Sequence, residues 1–207
     1  MKGVTVIDHP LVQHHLTCLR DARTRPPEFR RILGEVSALM VYEATRSLKV
    51  KPVRVNTPLT VARGARLLHD VILVPVLRAG LGMLEAILKL IPDVSVGFIG
   101  MKREEETLRA MVYYKSLPAD LSRHQIILID PMLATGGSAV AAMNLLRERK
   151  ARQARMVNLL AAPEGIRNFR AHHPDVPVFT AAIDRKLDAK GFIVPGLGDA
   201  GDRSFGV

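Results

Sequence analysis

The chain reads as an α/β protein built on a parallel sheet, and three stretches carry that expectation. The first is Ile126-Ile127-Leu128-Ile129, four apolar residues of which three are β-branched. Such a run is the pattern of a strand covered on both faces. It passes through Asp130-Pro131 and the small-residue turn Thr135-Gly136-Gly137-Ser138 into Ala139 to Arg147, which has helical period. The second is Asp70 to Leu77 as strand, Leu81 to Ile91 as helix and Val94 to Ile99 as strand. A strand–helix–strand unit of that length joins parallel strands. The third repeats the pattern with Arg155 to Ala161, Pro163 to Arg170 and Val176 to Ile183. Together they predict a parallel sheet of about five strands flanked by helices.

In chain order, His9-Pro10-Leu11 to Arg20 is a short helix with Pro10 in its first turn. His14 and His15 are adjacent, so on a helix they point to different faces and cannot share a metal ion well. After Pro26-Pro27, the residues Phe29, Ile32, Leu33, Val36, Leu39 and Met40 mark one face of a long helix. That helix is expected to end near Lys49, before Pro52. Arg78 follows the strand ending at Leu77, on the same carboxyl edge as Asp130. A guanidinium there matches a diphosphate bidentately, or caps the sheet edge. Lys102 and Arg103 place a basic pair at the end of the next strand. Leu108, Ala110, Val112 and Tyr114 alternate with polar or larger residues. They predict an extended arm that packs outside the sheet, lids the site or joins a partner subunit. No internal repeat or linker divides the chain, so residues 1–207 are expected to form one domain.

The turn after Ile129 has the makings of an anion cradle. Glycines bring backbone close to a ligand, and unpaired N–H groups of a first helical turn point at it. Thr135 and Ser138 add hydroxyl donors. No Lys follows the glycines, so this is not a Walker A loop, and it is not the dinucleotide fingerprint either. Asp130 sits where open α/β sheets bind ligands. A carboxylate there would accept hydrogen bonds from sugar hydroxyls or help hold a metal; the plainer alternative is a tight turn that Asp130 caps. Near the end of the chain, five of the fifteen glycines fall in residues 191–207, among the apolar Phe192, Ile193, Val194 and Leu197. That mixture predicts an ordered loop whose bare backbone approaches something closely.

The segment Ile129 to Ser138 resembles the phosphoribosyl-diphosphate (PRPP) loop of type I phosphoribosyltransferases, with Pro131 in place of the usual second acid. Asp-Pro-Met-Leu-Ala-Thr-Gly-Gly-Ser is similar to the version in uracil phosphoribosyltransferases. His-Pro-Leu-Val-Gln-His near the start, Val-Leu-Arg-Ala-Gly at Arg78, and Phe-Ile-Val-Pro-Gly-Leu-Gly-Asp-Ala-Gly-Asp-Arg from Phe192 resemble the same family. Lys102 stands where relatives often carry an aromatic, and Phe192 where Tyr is usual. The resemblance implies a hood over the carboxyl edge formed by the N- and C-terminal segments. It implies conversion of uracil and PRPP to UMP and diphosphate. By resemblance Asp130, Arg78 and Arg103 are catalytic. PRPP is held by Arg78, Arg103, Asp130, Pro131, Met132, Leu133, Ala134, Thr135, Gly136, Gly137, Ser138 and Asp199. Uracil is read by Ile193, Gly198, Asp199 and Ala200. Mg²⁺ is carried mainly by PRPP, with Asp199 as a candidate ligand. A GTP activator and a homodimeric or homotetrameric assembly are implied in the same way.

Composition bounds the alternatives. Apolar residues make up 48% of the chain, which argues for a globular core and against disorder. No apolar run is long enough to span a membrane, and the first residues lack a signal-peptide core. Cys18 is alone, which excludes an intrachain disulfide and agrees with a cytoplasmic setting. The net charge of +10 admits nucleic acid, an acidic small substrate or a basic solvated surface. No RNA- or DNA-binding signature accompanies it. Two other classes therefore stand beside the pyrimidine enzyme: an RNA-binding pyrimidine regulator of the same fold, and a purine phosphoribosyltransferase.

Overall fold

The computed structural model describes residues 2–91, 93–103 and 110–207, without the side chains of Arg103 and Ala110. Its elements in order are β1 (Val4–Val6), α1 (Pro10–Arg20), α2 (Pro26–Ala44), β2 (Val50–Asn56), β3 (Val61–Leu67), β4 (Val71–Leu77), α3 (Leu81–Leu90), β5 (Ser95–Val96), β6 (Phe98–Arg103), β7 (Ala110–Ser116), β8 (Gln125–Ile129), β9 (Met132–Leu133), α4 (Gly137–Glu148), β10 (Gln153–Ala161), α5 (Pro163–His172), β11 (Val178–Ile183), β12 (Lys186–Leu187), β13 (Ile193–Val194) and α6 (Ala200–Phe205).

The main sheet runs in the order β1-β11-β10-β8-β4-β6-β7. All its neighbours are parallel except the β6–β7 pair. Successive side chains of a strand point to opposite faces, so each central strand feeds two cores. Leu73, Ile127, Ile129, Val157 and Leu159 pack with α1, α2 and α3 on one face. Ile72, Val74, Ile126, Leu128 and Met156 pack with α4 and α5 on the other. Every residue of β8 is buried, which is why its sequence is apolar without alternation. It is the middle strand of a covered parallel sheet. In α2, Phe29, Ile32, Leu33, Val36 and Met40 are buried at helical spacing. No helix among the described residues is long and apolar enough to cross a membrane.

Several expectations shift. The helix α2 ends at Ala44, with Thr45 as its cap. Thr45 Oγ1 donates to Val41 O at 2.8 Å, and residues from Val50 onward are claimed by the β2–β3 pairing that joins Val50 to Leu67. The strand expected over Val94 to Ile99 is split at Gly97, whose N–H donates to Leu73 O. Added there, a Cβ would lie 2.7 Å from Leu117 Cδ2, so the chain bends under that side chain. The extended arm is β7, paired to β6 at the sheet edge; Leu108 lies outside the described residues. The hairpin standing apart from the main sheet is β2–β3, which the sequence reading passed over. β1 adds a parallel strand beyond the expected five, through Val4↔Val178 to Val6↔Thr180.

Candidate functional site

The carboxyl ends of β4, β6 and β8 open into a cavity of about 300 Å³. Its walls come from four places. Leu77, Arg78 and Ala79 follow β4; Met101 and Lys102 close β6; Asp130 to Ala139 follow β8; and Gly191 to Ala200 come from the C-terminal segment. Of the expected site residues, Arg78, Asp130, Met132, Leu133, Ala134, Thr135, Gly136, Ser138, Ile193, Gly198, Asp199 and Ala200 line this one cavity. Pro131 and Gly137 do not. The Pro131 carbonyl is turned to β10, accepting from the N–H groups of Leu159 and Leu160 at 2.9 and 3.0 Å. Gly137 opens α4 behind the turn. Arg103 ends β6, and its side chain lies outside the described residues.

Asp130 is placed by strand length: β8 is buried to Ile129, and the next residue emerges at the edge. Its Oδ1 accepts the Met132 N–H at 3.3 Å. Burial pushes its carboxyl up to about 7; the Met132 N–H opposes the rise and the negative charge of Asp199 adds to it. The next residues form β9, which pairs with Leu160 and Ala161 of β10. The turn then presses against α5. Asn168 Nδ2 donates to Thr135 O at 2.8 Å. Gly136 is left-handed at φ +80°, and a Cβ on it would lie 2.7 Å from Gly165 O. On Gly165 the same atom would lie 2.3 Å from Ala134 O. Two bare backbones are what let the turn and α5 approach so closely. Thr135 Oγ1 accepts the Gly137 N–H at 3.4 Å, and Val140 N–H donates to Gly136 O as α4 begins. The free N–H groups of that first turn carry the positive end of a three-turn helix.

Arg78 follows a cis peptide bond at Leu77 and is exposed. Its guanidinium stands 3.8 Å from Asp202 Oδ1, a solvent-facing contact that leaves it available to a ligand. Asp199 caps α6 by accepting the Asp202 N–H at 2.9 Å. Ile193 is buried within the β12–β13 pair, and Phe192 is anchored by its N–H to Asp188 Oδ1 at 2.8 Å. The cavity thus has carboxylates at Asp130 and Asp199, cations at Arg78 and Lys102, a helix N-terminus, and a wall of glycine-rich backbone. Asp199 is close enough for its charge to act on Asp130, but no group of three or more metal-ligating side chains occurs among the described residues. Two carboxylates without a full cage suit a cation brought in by a polyphosphate. They do not make a resident all-protein site.

The hood expectation divides. The C-terminal segment walls the cavity, whereas the N-terminal helix α1 contributes none of the lining residues. It braces from behind through Arg20, which binds Asp184 and Gly196 O. Sequence reasoning missed Asp184, Arg20, Asn168 and Asp202. Asp184 had a legible signal, since it follows a buried strand just as Asp130 does. Asn168 had none, because its job is defined by a turn thirty-three residues away.

A family model described as uracil phosphoribosyltransferase matches residues 6–207. Proteins of that name from Campylobacter concisus and Bacillus licheniformis are each 51% identical to the chain, the first over 99% and the second over 100% of both chains. A solved structure of a protein from Aquifex aeolicus superposes with a TM-score of 0.94 at 36% identity, covering 99% of this chain and 98% of that one. The adenine phosphoribosyltransferase of Trypanosoma brucei, solved with AMP, pyrophosphate and ribose-5-phosphate, superposes with a TM-score of 0.60 at 14% identity, over 96% and 89% of the two chains. At that identity the likeness is one of fold, so it gives the purine alternative no support, and none of these relatives is named as an RNA-binding regulator. With the family model spanning nearly its whole length, the chain belongs to the uracil phosphoribosyltransferase family.

Proposed function

We propose that this cavity joins uracil N1 to C1 of the ribose of PRPP, releasing diphosphate and giving UMP. The observation that carries the reading is the convergence of an anion cradle, a strand-end carboxylate and a glycine-rich backbone wall on one cavity. The cradle from Ala134 to Ser138 takes the 5-phosphate on helix N–H groups and the hydroxyls of Thr135 and Ser138. Asp130 accepts from the ribose hydroxyls and so fixes the ring while C1 gains oxocarbenium character. Arg78 and Arg103 meet the diphosphate, and their charge stabilises the oxygens on which negative charge collects as the C1–O bond breaks. The backbone of Ile193 and of Gly198 to Ala200 holds uracil edge-on, so that N1 faces C1 and the new C–N bond forms from the side opposite the leaving group. The N1 proton departs in the same conversion; no side chain is assigned to receive it.

Mg²⁺, when bound through PRPP with Asp199 beside it, supplies charge neutralisation to the diphosphate. Assembly as a homodimer or homotetramer, activation by GTP, one domain over residues 1–207 and a cytoplasmic location belong to the same proposal. The test is a base panel with PRPP and Mg²⁺. Uracil alone is expected to yield its nucleotide monophosphate together with diphosphate. A purine nucleotide in its place, or no product from any base, would overturn the reading.

A further inference from the structure

The glycine-rich wall is held from outside by an ion pair that does not itself line the cavity. Asp184 directly follows β11 and is 7% exposed. Arg20 is the last residue of α1 and grips it bidentately, at 2.7 and 2.8 Å. The same two side chains hold both polar groups of Gly196. Its N–H donates to Asp184 Oδ2 at 2.8 Å, and its C=O accepts from Arg20 at 2.7 Å. Gly196 turns at φ +60°, and an added Cβ would fall 2.0 Å from Ile193 O, so the turn is folded hard onto the carbonyl of Ile193. The following carbonyl, Leu197 O, accepts from Arg203 at 2.9 Å. Burial works to raise the Asp184 carboxyl, yet the Arg20 guanidinium and the Gly196 N–H outweigh it, with Arg185 adding to them, and the group stays charged below its ordinary range. Neither Arg20 nor Asp184 lines the cavity.

A backbone reader differs from a side-chain reader in one respect. It has no rotamers, so the direction of each N–H and C=O is set wholly by the path of the loop. Gly196 lies between Ile193 and the run Gly198 to Ala200, the two parts of the loop proposed to face the base. We infer that Arg20 and Asp184 are positioning residues that set base affinity and selectivity by clamping the Gly196 peptide groups, and thereby the spacing of Ile193 from Gly198. This rests on the proposed pyrimidine reading of the same loop and deepens it. It also gives the N-terminal helix a role in a site it does not line.

The test compares wild type with Arg20→Lys, Asp184→Asn and the double variant, measuring melting temperature, kcat, and KM for uracil and for PRPP. Lys keeps the charge of Arg20 but loses the fork that spans Asp184 and Gly196 O together. Displacement of the loop by an ångström is expected to raise KM for uracil about tenfold to a hundredfold. KM for PRPP stays within about threefold, because the cradle and Arg78 sit on other elements and Asp199 is fixed separately as the cap of α6. The double variant is expected to be no worse than the more damaged single, since both residues act through one peptide. A purely structural pair would lower the melting temperature and leave uracil KM of the folded protein at its wild-type value. That result overturns the inference, and Arg20→Lys decides alone if Asp184→Asn fails to fold. A wild-type protein that makes no UMP overturns the underlying reading and the inference together. A wild type that makes UMP, beside folded variants of unchanged uracil KM, overturns the inference alone.

Discussion

Asp130 is held near 7 because burial outweighs the one Met132 N–H that it accepts, and Asp199 adds like charge. As an acceptor for ribose hydroxyls it must be ionised. We therefore expect kcat/KM for PRPP to rise between pH 6 and pH 8 with an apparent pKa near 7, and the pH–rate profile of the free enzyme checks it. Asp130→Asn should remove that rise and lower turnover by about a hundredfold or more, with an unchanged far-ultraviolet spectrum. Stability runs the opposite way. The unfolded carboxyl releases its proton near 3.8 and the folded one near 7, so between those values the folded state binds more protons and loses stability as pH rises. The melting temperature of wild type relative to Asp130→Asn should fall from pH 5 to pH 7 and level off above. The position of Asp130 was legible from one buried run ending in an acid. Its proton was not, because it depends on burial by the folded chain and on the charge of Asp199, sixty-nine residues further on and brought near only by the fold.

The cradle separates two kinds of glycine, and each predicts a different failure. A Cβ at Gly136 would meet Gly165 O at 2.7 Å in a left-handed conformation, so Gly136→Ala should destabilise the protein by about 1–3 kcal/mol, read as a lower midpoint in urea. At Gly137 the nearest atom to a Cβ is Thr135 Oγ1 at 3.7 Å. Gly137→Val should therefore fold, yet raise the PRPP requirement by crowding Thr135, whose hydroxyl is proposed to take the 5-phosphate; initial rates against PRPP concentration decide it. The strand–turn–helix around them was readable because a covered parallel strand must be apolar throughout and its turn must be small. The β2–β3 hairpin was not read, although Val53 and Val55 alternate with Arg54 and Asn56. Its alternation leads to no buried face: Val50, Val55, Val61 and Leu67 are all exposed, so the pattern that reports burial elsewhere has nothing to report. Helix ends were likewise beyond reach, since Thr45 stops α2 through a tertiary claim on the residues that follow.

At the scale of the whole molecule, a net charge of +10 favours the approach of a polyanionic substrate such as the one proposed. Raising salt should lower kcat/KM for PRPP while leaving saturated turnover nearly constant, because screening acts on encounter. Stopped-time assays across a salt series would show it, and a flat series would confine the basic residues to solvation. Base choice is also a whole-site property. Cytosine reverses two of the donor–acceptor positions that uracil offers, and a fixed backbone cannot reverse with it. Discrimination of about 10⁴-fold is expected in specificity constant, measured by competing the two bases for limiting PRPP. Fold class was legible because two βαβ units and one buried strand determine the sheet's direction. The edge strand β1 escaped, since three residues carry no period. That strand has a consequence for synthesis. Among the described residues, Val4 finds its one neighbour in the main sheet at Val178. A ribosome adding 5–20 residues per second takes roughly 9–35 s to travel from one to the other. Through that interval β1 has no ladder to join and α1 lacks the Asp184 carboxylate that later fixes Arg20, so these two elements are made well before the partners that dock them.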